Sequence, residues 1–238
     1  GLPSSSNSCR EPALLGTNYD SDANAKKAGF TDAKDMATKM VREYETMIKS
    51  IEKYGGFYIG RYELSGTVDN PTEKTGATIT KKTWYELYNA CKKIGAKSDG
   101  SDKEGIATRM IWECQWDATC DFISKKGDQK KITDSRSWGN YWDSTGDAAV
   151  MDGETKKYGS KQVTGYSEYW KANNIYDLAG NCYEWTREAN STDDRAYRGG
   201  GYNFDGSSNP ASSRYISNAD SSYSSIRFSS HFNNKVAF

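Results

Sequence analysis

The reading of this chain turns on Asn174-Ile175-Tyr176-Asp177-Leu178-Ala179-Gly180-Asn181-Cys182-Tyr183-Glu184-Trp185-Thr186, followed after a short loop by Tyr197-Arg198-Gly199-Gly200. Turn-forming residues alternate here with aromatic ones, and the whole chain shares that habit. Its 238 residues include 17 Tyr and 7 Trp but only 35 % hydrophobic residues, so aromatic rings must supply much of the buried area and their polar tips need partners. With 22 Gly and 4 Pro, many turns rely on positive φ. Such a composition suits short strands and long ordered loops better than a helical bundle.

Upstream of the quoted stretch, apolar residues recur at helical steps. Met36, Met40, Tyr44, Met47, Ile48 and Ile51 form one stripe, with Thr31 or Asp32 as its cap and Gly55 as its stop. A second helix is expected over Lys82–Ile94, ended by Gly95, and a third within Ile106–Ile123. Gly56–Leu64 alternates like a strand. Residues 1–30 show no periodicity and read as an irregular lead-in or linker; residues 31–238 read as one domain. Helices near the front followed by aromatic loops and short strands predict an α+β fold.

Balanced charge, 32 basic against 32 acidic side chains, gives no overall field for collecting phosphates, so nucleic acid is not an expected partner. No run of 18 apolar residues occurs, which argues against membrane insertion. A single His rules out zinc sites built on several imidazoles. Cys9, Cys91, Cys114, Cys120 and Cys182 are odd in number, hold no C-x-x-C pair, and read as buried thiols in a reducing compartment.

The quoted stretch closely resembles the N-x-x-D-x-x-G-N-x-x-E-W-T and R-G-G motifs of the formylglycine-generating enzyme superfamily, a branch of the C-type lectin fold. Gly55 to Phe238 is the extent of the likeness. It implies a lectin-like α+β domain with short twisted strands, two or three helices and long ordered loops. In relatives the GN-x-x-EW loop holds calcium, which nominates the carboxylates of Asp177 and Glu184 and the carbonyls of Gly180 and Cys182; Ca²⁺ accepts such a mixture of oxygens. Alternatively Glu184 and Asn181 only hydrogen-bond the loop while Trp185 packs in the core. The oxidase members bind copper through two cysteines after the R-G-G motif. Here no cysteine follows Cys182, so copper and that activity are not expected.

Residues 189–234 contain no Lys, Glu, Gln, Met or Trp, types that make up 49 of the first 188 residues. No codon ending in a pyrimidine encodes any of the five. The pattern resembles the variable region of proteins diversified by retroelements, in which a reverse transcriptase randomises adenines; phage tropism determinants are the best-known kind. Independently, the 11 Ser, 5 Asn, 3 Tyr and 3 Phe of residues 201–234 approach the composition of an antibody paratope.

The expected ligand contacts are therefore Tyr202, Phe204, Tyr215, Tyr223, Arg227, His231 and Phe232 as anchors, with Asp205, Ser217 and Asn218 as polar contacts. Arg198 and Arg214 match arginines that brace the family's loops. The resulting expectation is a non-enzymatic receptor-recognition protein, carried on a phage or prophage tail or a bacterial cell surface, that meets a bacterial surface protein or glycan. The alternatives are a superfamily enzyme with an altered site and a calcium-dependent glycan lectin, although neither E-P-N nor Q-P-D occurs.

Overall fold

The computed structural model describes residues 19–103, 107–150 and 155–222, together with the backbone of 228–229 and 232–234. Four helices of six residues or more occur among them: α1 (Asp22–Lys27), α2 (Ala33–Tyr54), α3 (Trp84–Lys93) and α4 (Glu113–Lys125). Their ends follow local chemistry. Asp32 caps α2 by accepting from the Asp35 N–H, and Gly55 closes it at φ 78°. Thr83 and Glu86 form a reciprocal capping box on α3.

The strands are short. The main sheet runs β10 (Phe228–Ser229), β7 (Tyr183–Ala189), β8 (Asp194–Arg198), β9 (Arg214–Asn218), antiparallel except at β10–β7. A second sheet runs β1 (Tyr58–Ile59), β11 (Phe232–Asn234), β4 (Thr108–Met110), and so pairs the first strand with the last. Two-stranded ribbons, β2 (Ser65–Gly66) with β3 (Pro71–Thr72) and β5 (Lys171–Ala172) with β6 (Ile175–Tyr176), complete the set. The class is α+β with long ordered loops, in keeping with the lectin-like resemblance, and with one more helix than expected. The strand expected over Gly56–Leu64 is cut to two residues, because Gly60 leaves extended pairing and Glu63 turns inward to serve the site described below.

The aromatic core is realised. Trp84, Trp116, Trp138, Trp170 and Trp185 are fully buried, and the indole N–H groups of Trp84, Trp116, Trp138 and Trp170 donate to carbonyls of Thr186, Ala211, Lys131 and Ala148. Cys91, Cys114, Cys120 and Cys182 are buried free thiols, while Cys9 lies outside the described residues. No described helix is long and apolar enough to cross a membrane.

Residues 19–30 correct the expected lead-in. They form α1 and enter the core rather than linking to it: Tyr19, Ala25, Ala28 and Phe30 are buried. Tyr19 donates its hydroxyl to the Arg187 carbonyl at 2.7 Å, and Arg195 reaches both the Tyr19 carbonyl and the Asp20 carboxylate. The Arg195 guanidinium also lies over the rings of Tyr19 and Trp84. A segment so short gives no periodic signal; its order comes from partners more than 160 residues away.

Candidate ligand-binding face

Strand alternation divides the main sheet into two unlike faces. Trp185 opposes Tyr197, and Tyr197 opposes Tyr215, so these rings with Tyr183 stand on one side. Tyr183 meets Tyr197, Phe204 and Tyr215 edge-on at 5.0, 5.3 and 6.0 Å, and Tyr197 stacks on Tyr215 at 5.7 Å. The cluster is graded: Trp185 and Tyr183 are buried, whereas Tyr197, Phe204 and Tyr215 are half-buried at its outer rim. Burial and the neighbouring tyrosines push the Tyr183 hydroxyl pKa up.

The opposite face is charged and covered by α4. Arg198 binds Glu113 at 2.9 Å and also Asp117, while Arg214 grips Glu188 through two nitrogens. Thr186 donates to Glu113 at 3.3 Å. Three carboxylates thus face two guanidiniums in a buried layer, and burial, together with Glu188 and Asp117, pushes Glu113 up to about 8 despite Arg198. Arg198 and Arg214 are scaffold, as expected: Arg198 joins β8 to the helix beneath, and Arg214 joins the edge strand β9 to β7.

The loop after the R-G-G motif folds onto the aromatic side. Gly200, at φ 79°, admits no side chain, since a Cβ there would come within 2.1 Å of the Asn209 carbonyl. Tyr202 is half-buried, and its N–H donates to the Asn181 carbonyl at 3.0 Å. Tyr215 donates its hydroxyl to the Ser208 carbonyl and Tyr183 donates to Asn209 Oδ1, which ties β7 and β9 to this loop.

Phe204, Tyr215 and Ser217 therefore lie on the aromatic side. Asp205 is turned into its own loop: Oδ1 accepts from Ser207 N, Ser207 Oγ and Ser208 N, and those bonds hold its pKa down at about 2. Asn218 corrects expectation. One residue on from Ser217 it belongs to the other face, at the strand end, with Oδ1 accepting from the Asp220 N–H. Tyr223, Arg227 and His231 lie outside the described residues. The Phe232 backbone sits in the middle strand of the second sheet, opposite Met110.

The GN loop supports this side from below. Asp177, Gly180 and Asn181 all take positive φ, and a Cβ on Gly180 would meet the Asn140 carbonyl at 2.1 Å. Asn181 is a fully buried hub: Nδ2 donates to Glu63 and to the Gln162 carbonyl, and Oδ1 accepts from Asn140 and the Gln162 N–H. Glu63, not identified from the sequence, also accepts from Thr78 and the Cys182 N–H. Its pKa is pushed well up, by burial first and then by the charges of Asp177 and Glu184.

For calcium, the donor types are suitable, since Asp177 and Glu184 are buried carboxylates. Asp177 Oδ2, however, accepts from Thr164 and the Gly165 N–H, and among the described residues no three His, Cys, Asp or Glu side chains are grouped to hold an ion.

Sequence reasoning also missed Trp142. Its N–H donates to the Phe204 carbonyl at 3.3 Å, and its side chain is exposed. It precedes the biased window, so composition gave no signal.

Comparison with known proteins finds no family model that matches the chain and no matching curated protein. Among solved structures, Treponema denticola variable protein 1 is similar at 13 % identity and a TM-score of 0.39, over 66 % of this chain and 71 % of that one. PvdO from Pseudomonas aeruginosa is similar at 11 % identity and a TM-score of 0.35, over 80 % of this chain and 76 % of that one.

Proposed function

We propose that the chain is a non-enzymatic recognition protein, in which a lectin-like scaffold displays a diversified surface to a bacterial surface protein or glycan from a phage or prophage tail or a cell surface. One observation carries the reading: the segment that lacks Lys, Glu, Gln, Met and Trp supplies Phe204, Tyr215 and Ser217 to one half-exposed aromatic side of a sheet whose other side is locked by buried ion pairs, with half-buried Tyr202 in the adjoining loop. Tyrosines offer wide contact area with few rotors to freeze, while Ser and Asn adapt their hydrogen bonds. Loops carry the specificity as the frame stays fixed.

The test is a display library of this chain with positions 202, 204, 215 and 217 drawn from codons ending in a pyrimidine. Specific binders to unrelated targets, recovered with parent-like melting temperatures, support the reading; a library without folded binders overturns it. In the gene, the reading requires a near-copy of the last hundred or so bases, differing at adenines, beside a reverse transcriptase. Stoichiometric Cu(I) uptake with thiol-dependent oxygen consumption would instead establish the enzyme.

Calcium enters the proposal as a stiffener of the GN loop, held by Asp177, Glu184 and the carbonyls of Gly180 and Cys182. It would add rigidity beneath Tyr202 and take no part in chemistry.

A further inference from the structure

Strand β9 is an outer edge of the main sheet, with β8 on one side and no strand on the other among the described residues. Which of its main-chain groups face outward follows from the ladder. The Ala219 N–H donates to the Asp193 carbonyl at 2.7 Å, one step beyond the Asp194–Asn218 pair, and the Ala196 carbonyl turns the other way to accept from Thr186 Oγ1 on β7. Bonded pairs alternate along an antiparallel ladder, so they fall at Tyr215 and Ser217, and the N–H and C=O groups of Ile216 and Asn218 point away from the sheet. The Asn218 carbonyl accepts from the Ser221 N–H. The Ile216 N–H and carbonyl and the Asn218 N–H take no hydrogen bond among the described residues, and Ile216 is 37 % exposed.

Open edges invite pairing with another chain, and proteins blunt them with lysine, proline or a bulge. β9 holds none of the three. It keeps unbroken register with β8 over five residues, and its single charge, Arg214, is turned beneath the sheet to Glu188. The irregularity of this sheet lies on the far side of β8, between Trp185 and Ala189 of β7. Lys is among the types missing from residues 189–234, so the alphabet that varies this segment cannot install the side chain that usually guards an edge.

We propose that the outer edge of β9 takes an extended strand of a protein partner, which adds to the main sheet through main-chain hydrogen bonds at Ile216 and Asn218. The proposal rests on the recognition-face reading and chooses protein over glycan within it. Main-chain pairing contributes affinity whatever side chains the edge carries. Every second side chain of the added strand falls beside Tyr215 and Ser217, where the varied residues select it. A sugar chain has no backbone amides spaced to match the edge.

The test uses the whole chain with three probes: a soluble peptide of alternating threonine and valine, the same peptide fully N-methylated, and maltoheptaose. Amide hydrogen exchange and NMR titration read it. In the chain alone, the amides of Ile216 and Asn218 should exchange fast beside slowly exchanging Tyr215 and Ser217. The peptide is expected to slow exchange at 216 and 218, and methylation, which keeps its side chains and removes its donors, should abolish that. Ile216→Pro removes the outward N–H without touching the ladder to β8; it should weaken the peptide about tenfold at a nearly unchanged melting temperature. Exchange in the parent chain decides the geometry even where Ile216→Pro does not fold. Slow exchange at 216 and 218 in the free chain, equal binding of the methylated peptide, no peptide binding at millimolar concentration, or protection by maltoheptaose in its place would overturn the proposal. So would protection that grows with protein concentration, which assigns the edge to a second copy. The library test above varies side chains and leaves the edge intact, so failure of the edge and failure of the face remain distinct.

Discussion

Tyr197 in the middle of the main sheet and Tyr215 on its edge stack with ring centroids 5.7 Å apart and planes 28° apart, so the outer rim of the aromatic face is packed on the core that supports it. Truncating the outer ring therefore acts on both stability and binding. Tyr215→Ala should lower stability by about 0.5–1.5 kcal/mol, from the lost ring pairs, and reduce affinity for a library-selected ligand by about 1–3 kcal/mol. Urea unfolding and titration calorimetry separate the two; a stability loss as large as the affinity loss would place Tyr215 in the frame.

Trp185 is fully buried and meets Tyr197 edge-on at 5.7 Å. Trp185→Ala should cost about 3–5 kcal/mol through the cavity it opens. Calorimetric melting measures this, and a loss under about 1 kcal/mol would mean that the site collapses freely.

Glu113 gives the fold a pH signature. A carboxyl that binds its proton more tightly in the folded chain than in the unfolded one loses stability for the fold as pH rises from about 4.5 toward about 8. Glu63 acts in the same direction. Asp205 acts in the opposite sense: its lowered pKa contributes stability above its ordinary 3.8 that is lost as pH falls toward about 2. Urea unfolding of Glu113→Gln between pH 5 and 8 should show a shallower decline than the parent. An equal slope would show that the Arg198 ion pair keeps Glu113 charged.

Asn181 joins four groups from three segments. Asn181→Ala leaves buried Glu63 and Asn140 short of a partner and places Ala at φ 55°, so a loss of about 2–4 kcal/mol is expected. Chemical denaturation reads it, and a neutral result would remove the hub from the account.

Calcium in the GN loop predicts a melting temperature that rises with millimolar Ca²⁺ and falls with a chelator, and Glu184→Gln should abolish that difference. Identical melts in both conditions would leave the loop held by Asn181 alone.

What could be read from the sequence was local. Asp32 and Gly55 bracket α2 as its stripe predicts, because cap and stop act within one turn. The helix expected over Lys82–Ile94 forms as Trp84–Lys93 for the same reason. Arg198 and Arg214 hold ion pairs beneath the sheet, as the motif resemblance implied, and Phe204 and Tyr215 stand half-buried at the edge of its aromatic side. Tyr19 and Asp20 could not be placed, because their order depends on Arg187 and Arg195 across the chain. Glu63 looked like one polar residue in a strand; only the fold brings Asn181 and the Cys182 amide to it. Trp142 was missed because exposure is a property of packing.

Strand β9 alternates between Arg214, clamped to Glu188 beneath the sheet, and Tyr215, open above it. Under the proposed function, neighbouring codons in this strand carry opposite tolerances: a change at 215 retunes the displayed surface, while a change at 214 loosens the floor. Randomising successive positions alike would spend much of the resulting diversity on copies that never fold.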